Sequence, residues 1–179
     1  SGNGPAILAS SAFLSDPERS ILNDSVGNYN GTMIHIQRLG GIDTRDSFSI
    51  DTMGSAISRS EDTLQFGLKK FATLEIEPGS IDIAFDGVEV IPNENLLNIV
   101  AKAITYTHKL PYSSPDSLEL LWVFDDGLKS DSAVQVIHLP YQSGAGTKET
   151  PYRIRDWRHL SNVNLHLDAF FLLENDLDS

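Results

Sequence analysis

The stretch from Ile104 to Gly127, ITYTHKLPYSSPDSLELLWVFDDG, decides how the rest of the chain is read. Ile104, Tyr106 and His108 alternate with Thr105 and Thr107, and Leu118, Leu120, Trp122 and Phe124 alternate with Glu119, Leu121 and Val123. A period of two is the signature of half-buried strands. With a polar, proline-containing turn between the halves, the stretch predicts a β-hairpin with one face in a core. It closes on Asp125-Asp126-Gly127, where glycine tolerates positive φ and two carboxylates can converge on a cation.

The same alternation extends in both directions. Downstream, Ala133–Leu139 reads as a last strand, with Val134, Val136 and His138 opposite Gln135 and Ile137. Upstream, Thr32–Arg38, Asp43–Ile50, Thr63–Phe66, Ala72–Ile76 and Ile81–Phe85 read as strands, and Ile7, Leu8, Phe13 and Leu14 supply an entry strand. Residues 51–62 read as a Ser/Gly/Thr-rich connection, and the polar run Glu18–Asn30 as a loop. One segment has helical spacing: after Pro92, Asn93 can cap, and Leu96, Leu97, Val100, Ala101 and Ile104 recur on one face. Many short strands with one short helix predict a mainly β fold, a β-sandwich rather than an α/β sheet.

Composition changes at Pro140-Tyr141-Gln142-Ser143-Gly144-Ala145-Gly146-Thr147, which marks a boundary between a first domain, 1–141, and a linker with a C-terminal unit, 142–179. In that unit Tyr152-Arg153-Ile154 is strand-like, Asp156 can cap a helix with Trp157, Leu160, Val163 and Leu167 on its apolar face, and Ala169–Leu173 is extended. The prediction is a strand-helix-strand extension.

The chain has 179 residues, 13 Lys+Arg against 25 Asp+Glu, a formal net charge of -12, and no Cys. That length buries a substantial core without disulfides. The missing thiols remove disulfide frameworks, thiolate metal sites and cysteine nucleophiles from consideration. The negative surface disfavours phosphate backbones and anionic membranes, and makes divalent cations the natural counter-ions. No apolar run is long enough to insert into a membrane, and no export leader opens the sequence, so we expect an internal segment of a longer chain whose export signal lies elsewhere.

Calcium takes six to eight oxygen ligands, which loops at the end of a sandwich can gather. Asp16, Glu18, Asp24, Asp125 and Asp126 are the candidate ligands, although Asp in a turn commonly accepts from its own backbone instead. Asp16 precedes Pro17 and is expected to present its carboxylate from extended backbone. His35, His108, His138, His159 and His166 are dispersed, and no zinc, serine-hydrolase or nucleotide motif is present, so no catalytic residue is expected. Trp122 reads as a core residue of its strand and Trp157 as the anchor of the second helix rather than as sugar-stacking platforms. Tyr29, Tyr112 and Tyr141 fall in loops and could form a binding rim.

The ordered run of Gly27-Asn28-Tyr29-Asn30-Gly31-Thr32, Ile36-Gln37-Arg38-Leu39-Gly40-Gly41, Asp46-Ser47-Phe48, LNIVAKAITY (97–106) and Leu121–Gly127 resembles the cadherin-like repeats of very large bacterial surface proteins, close to the chondroitin sulfate proteoglycan repeat. The resemblance covers about residues 5–139. It implies an Ig/cadherin-like sandwich, exported, often calcium-binding and usually one of a tandem series. The segment from Gly146-Thr147 through Pro151-Tyr152-Arg153-Ile154 and Leu160–Leu173 to Asn175-Asp176-Leu177-Asp178 is similar to the lead-in of GLUG-type β-helical repeats, which implies the cap of a β-solenoid. Together they imply a non-catalytic, monomeric, calcium-stiffened extender or junction in an extracellular adhesin. Its partners would be neighbouring domains and a host or matrix glycan or protein. The alternatives are a calcium-dependent carbohydrate- or peptide-binding module and an accessory domain of a surface hydrolase.

Overall fold

The computed structural model describes residues 6–8, 13–109 and 117–177. Among them run twelve strands: β1 (Ala6–Ile7), β2 (Met33–Arg38), β3 (Asp46–Ile50), β4 (Ile57–Ser60), β5 (Thr63–Phe66), β6 (Lys69–Glu77), β7 (Ser80–Phe85), β8 (Ile104–His108), β9 (Ser117–Asp125), β10 (Ser130–His138), β11 (Tyr152–Ile154) and β12 (Phe171–Leu173). The helices are α1 (Pro17–Ser20), α2 (Leu22–Ser25), α3 (Glu94–Ala103) and α4 (Trp157–Ser161). Seven strands form one sheet in the order β10-β9-β2-β7-β6-β5-β4, and three form another in the order β1-β8-β3. Every pairing in these two sheets is antiparallel. The protein is therefore mainly β, with few and short helices.

The strands alternate as their sequences dictate. Ile34 and Ile36 of β2, Ile81, Ile83 and Phe85 of β7, and Leu118 and Leu120 of β9 point into one core. From the smaller sheet, Phe48 and Ile50 of β3 and Tyr106 of β8 enter the same core, and β3 lies against β6 and β7. α3 contributes Leu96, Leu97, Val100 and Ala101, and the Asn93 side chain caps it by accepting from the Leu96 amide at 3.0 Å. The helix runs directly into β8, so it carries the chain from the large sheet to the small one.

The hairpin expected within residues 104–127 does not form. β8 pairs with β1 and β3, whereas β9 pairs with β10 and β2. A strand has two hydrogen-bonding edges, and both edges of each are already taken, so the chain changes sheets between them. The hairpin that does form is β9–β10, in register from Ser130↔Asp125 to His138↔Ser117 and closed by Asp126 N–H donating to the Lys129 carbonyl at 3.0 Å. In β10 the inward positions are Gln135 and Ile137; Val134 and Val136 are exposed. Trp122, expected in the core, is only half-buried: it packs on the core's edge and donates its Nε1–H to Gln135 Oε1 at 2.9 Å.

Three other expectations are revised. Residues 51–62 contain β4, whose only buried side chain is Ile57, so the stretch has no alternation to read. The run from Glu18 contains the single-turn helix α1 and, at α2, a tight turn in which Asn23, Asp24 and Ser25 take positive φ, rather than loop alone. The tail has the expected strand-helix-strand order, with β11 and β12 paired in parallel, but Trp157 is 61% exposed and Leu167 80%, and the buried residue of α4 is His159. α4 is barely more than one turn, so it buries one residue instead of a stripe. The tail is anchored by aromatics: Tyr141 and Tyr152 stack with ring centroids 4.3 Å apart, and Phe171 packs edge-on to Tyr141 at 5.6 Å.

Candidate functional site

The five predicted acids are distributed over the segment before β2 and the β9–β10 turn. Asp16 is extended, φ −128° and ψ 110°, as the residue before proline should be. Its Oδ1 accepts from the Glu18 and Arg19 amides at 2.8 and 3.1 Å and so caps α1. Asp125 Oδ1 accepts from Gly127 N–H at 2.7 Å, and Asp126 Oδ1 accepts from Leu128 and Lys129 N–H at 2.7 and 2.6 Å. Backbone donation from Lys129 and Leu128 holds the Asp126 carboxyl below the usual range. Asp16 and Asp126 are brought together: with Asp131, which sequence reasoning missed, they line one open cleft beside Phe124 and Lys129. Glu18, Asp24 and Asp125 do not line it, and Glu18 and Asp24 are exposed.

A denser set of charges lies elsewhere. Among the described residues, Asp43, Asp46 and His108 bring three potential ligand atoms within 4.8 Å of one another. The β3–β8 register sets Asp46 opposite His108 and Phe48 opposite Tyr106, so all four side chains share the buried face of that pair. Asp46 Oδ1 accepts from Tyr106 OH at 2.5 Å and meets His108 Nδ1 at 2.6 Å; Asp46 Oδ2 accepts from Arg38 Nη1 at 2.7 Å. Arg38 also reaches Asp43 Oδ2 at 3.2 Å, and Arg45 closes on Asp43 with Nη2 at 2.6 Å and Nε at 2.9 Å. Each carboxylate oxygen already faces an N–H or O–H donor, and two guanidinium charges answer two carboxylates.

The electrostatics agree with the geometry. Burial pushes the Asp46 carboxyl up, but donation from His108, Tyr106 and Arg38 outweighs it, and the net shift is downward. Hydrogen bonds from the Arg45 side chain hold Asp43 far below the carboxylate range. Burial and the Asp46 carboxylate together push the Tyr106 hydroxyl far up. One signal for this network was available in the sequence: Asp46 shares its strand face with Phe48 and Ile50, and a carboxylate at a core position requires cationic and hydroxyl partners.

No family model, curated protein or solved structure matches the chain. Its functional reading therefore rests on its own geometry.

The expected aromatic rim is not on the surface. Tyr29 and Tyr141 are fully buried, and Tyr112 lies outside the described residues. Loop tyrosines turn inward when their hydroxyls find partners: Tyr29 OH is 2.8 Å from Ser20 Oγ and 3.2 Å from Glu94 Oε2, and Tyr141 OH donates to the Asn162 carbonyl at 2.5 Å. Tyr29 thereby ties the segment before β2 to the start of α3. His35 on β2 faces Asp82 on β7 at 2.7 Å, another cross-strand pair. Among the described residues, no helix is long and apolar enough to cross a membrane.

Proposed function

We infer that this chain is a non-catalytic structural module, a cadherin-like β-sandwich that serves as an extender or junction in a large extracellular bacterial adhesin. The observation that carries this reading is the closure of its main ionisable cluster. Asp46 of β3 faces His108 and Tyr106 of β8 on their buried side, and the half-buried Arg38 of β2, with Asp43 and Arg45 of the β2–β3 connection, closes over them. General acid-base chemistry needs a titratable group within hydrogen-bond reach of a substrate, and carboxylates whose oxygens all face internal donors give cohesion instead. The acidic, cysteine-free composition suits an exported spacer, and the docked tail suits a junction to a following domain such as a β-solenoid.

A second reading draws on the cleft between Asp16, Asp126 and Asp131, where calcium could support binding of a glycan or peptide. A glycan and peptide array probed with the full chain, in calcium and in EDTA, separates the two. The extender reading expects no feature above background in either condition. A ligand bound in calcium and released by EDTA would establish the calcium-dependent binding module in its place.

A further inference from the structure

Pairing between β2 and β9 ends at Met33↔Asp125. Just past that pair, three backbone carbonyls converge on one side chain. Arg19 Nη1 donates to the Asn30 carbonyl at 2.7 Å and to the Asn28 carbonyl at 3.4 Å, and Nη2 donates to the Asp126 carbonyl. The contact is reciprocal, because Asn28 N–H donates to the Arg19 carbonyl at 3.1 Å. Gly127 completes the wall: its φ is +84°, and a Cβ there would stand 3.2 Å from the Gly31 carbonyl oxygen and 3.5 Å from Arg19 Nη2. A side chain at 127 would be strained in conformation and would crowd the Gly31 carbonyl, with the guanidinium at ordinary contact distance.

We propose that this end of the large sheet is a guanidinium-binding site whose resident ligand is Arg19, and that removing the side chain leaves a carbonyl-lined site that takes a small guanidinium from solution. The chemistry favours a planar fork over a metal ion. The donors required are several N–H groups spread over one plane, which guanidinium supplies and ammonium does not. Calcium needs six to eight oxygens. Here one oxygen of each nearby carboxylate is directed to backbone: Asp16 Oδ1 to the Glu18 and Arg19 amides, and Asp126 Oδ1 to those of Leu128 and Lys129. The groups that accept from the guanidinium are three neutral carbonyls, and the Asp126 carboxylate lies near enough to feel the Arg19 charge. Arg19 thus links α1, the Asn28–Asn30 segment and the β9–β10 turn, the joint at which a bound metal was expected from the sequence. The assignment stands whether or not the chain is an extender.

The test is thermal melting of Arg19→Ala titrated with ethylguanidinium chloride at millimolar concentration, against ethylammonium chloride at equal ionic strength and against calcium chloride. The variant should lose about 5 °C in Tm for a chain of this size. Ethylguanidinium should restore most of that loss with saturation while leaving the wild type unchanged, and neither ethylammonium nor calcium should do so. A variant that melts like the wild type, equal restoration by ethylguanidinium and ethylammonium, restoration by calcium alone, or no restoration at all would each overturn the proposal. Should Arg19→Ala fail to fold, the same titration on Arg19→Gln is the test, with the same outcomes deciding.

Discussion

Asp46→Ala should lower the folding free energy by about 3–5 kcal/mol, the range for breaking a buried charge pair from one side. The Asp46 carboxylate is fully buried and accepts from Arg38, Tyr106 and His108, so its loss takes the carboxylate from the buried Tyr106 and His108 and leaves Arg38 with Asp43 alone of its two carboxylates. Against a total stability of about 5–15 kcal/mol for a domain, that is a large fraction. The measurement is a urea transition: the midpoint should move sharply with little change in slope. The same network sets the acid limb. Because the folded-state pKa of Asp46 lies below its unfolded value, its contribution is complete above the unfolded carboxylate value, about 3.9, and is lost as pH falls through the folded value. Asp43 has the same sign. Wild-type stability should therefore hold down to about pH 4 and fall below it, and Asp46→Ala should show a shallower acid limb. A midpoint shift within the roughly 0.5 kcal/mol of a surface substitution would mean that the network adds nothing to stability.

Tyr141→Ala should cost a comparable amount, about 3–5 kcal/mol by analogy with other buried aromatic truncations. Tyr141 is fully buried, stacks on Tyr152, meets Phe171 edge-on, and donates to the Asn162 carbonyl. Its ring packs on one ring from each tail strand, Tyr152 of β11 and Phe171 of β12, so the tail should loosen as the stability falls. Hydrogen exchange at Ile154, Phe171 and Leu172 reports that directly. The hydroxyl adds an alkaline signature: burial and then the Tyr152 hydroxyl push the Tyr141 pKa up to about 12. With a raised folded-state pKa, the contribution is complete below the unfolded tyrosine value, about 10, and is lost as pH rises toward the folded value. Tyr141→Phe should keep most of the packing and show a weaker loss between about pH 10 and pH 12. Unchanged exchange across the tail in Tyr141→Ala would show that the tail is held by something other than this stack.

How much of this was legible in the sequence depends on which physical signal each feature leaves. Ile34 with Ile36, Ile81 with Ile83 and Phe85, and Leu118 with Leu120 were readable because each strand has one face in the core, and period two records that face. α3 was readable because Asn93 caps it and its apolar stripe has helical spacing. β4 was not, since an edge strand with one buried residue leaves no pattern. Pairing was not legible either: alternation says that Ile104–His108 and Ser117–Asp125 are strands, but not which edges they share, and the sheet change between them is a property of the whole core. Trp157 misled because amphipathic spacing predicts burial only when the helix is long enough to lie against something.

The charged features divide the same way. Asp16, Asp125 and Asp126 could be marked as turn acids from their neighbours, and their capping bonds are local. The Asp46 network joins residues up to 70 positions apart in the chain, from Arg38 to His108, and only its register at Asp46↔His108 assembles it. The buried face of Asp46 was nevertheless deducible from Phe48 and Ile50. Arg19 left no pattern at all, because its partners are backbone carbonyls, which every residue carries.

The central claim is that the Asp46 network joins the two sheets and the Tyr141 stack holds the tail, so that the module folds as one unit without added calcium. Calorimetric unfolding of the full chain, run in EDTA and again in excess calcium, tests it most directly. The account predicts a single transition in which calorimetric and van't Hoff enthalpies agree, with the same Tm in both buffers. A Tm that rises with calcium and collapses in EDTA, or a separate low-temperature transition for residues 142–179, would contradict it.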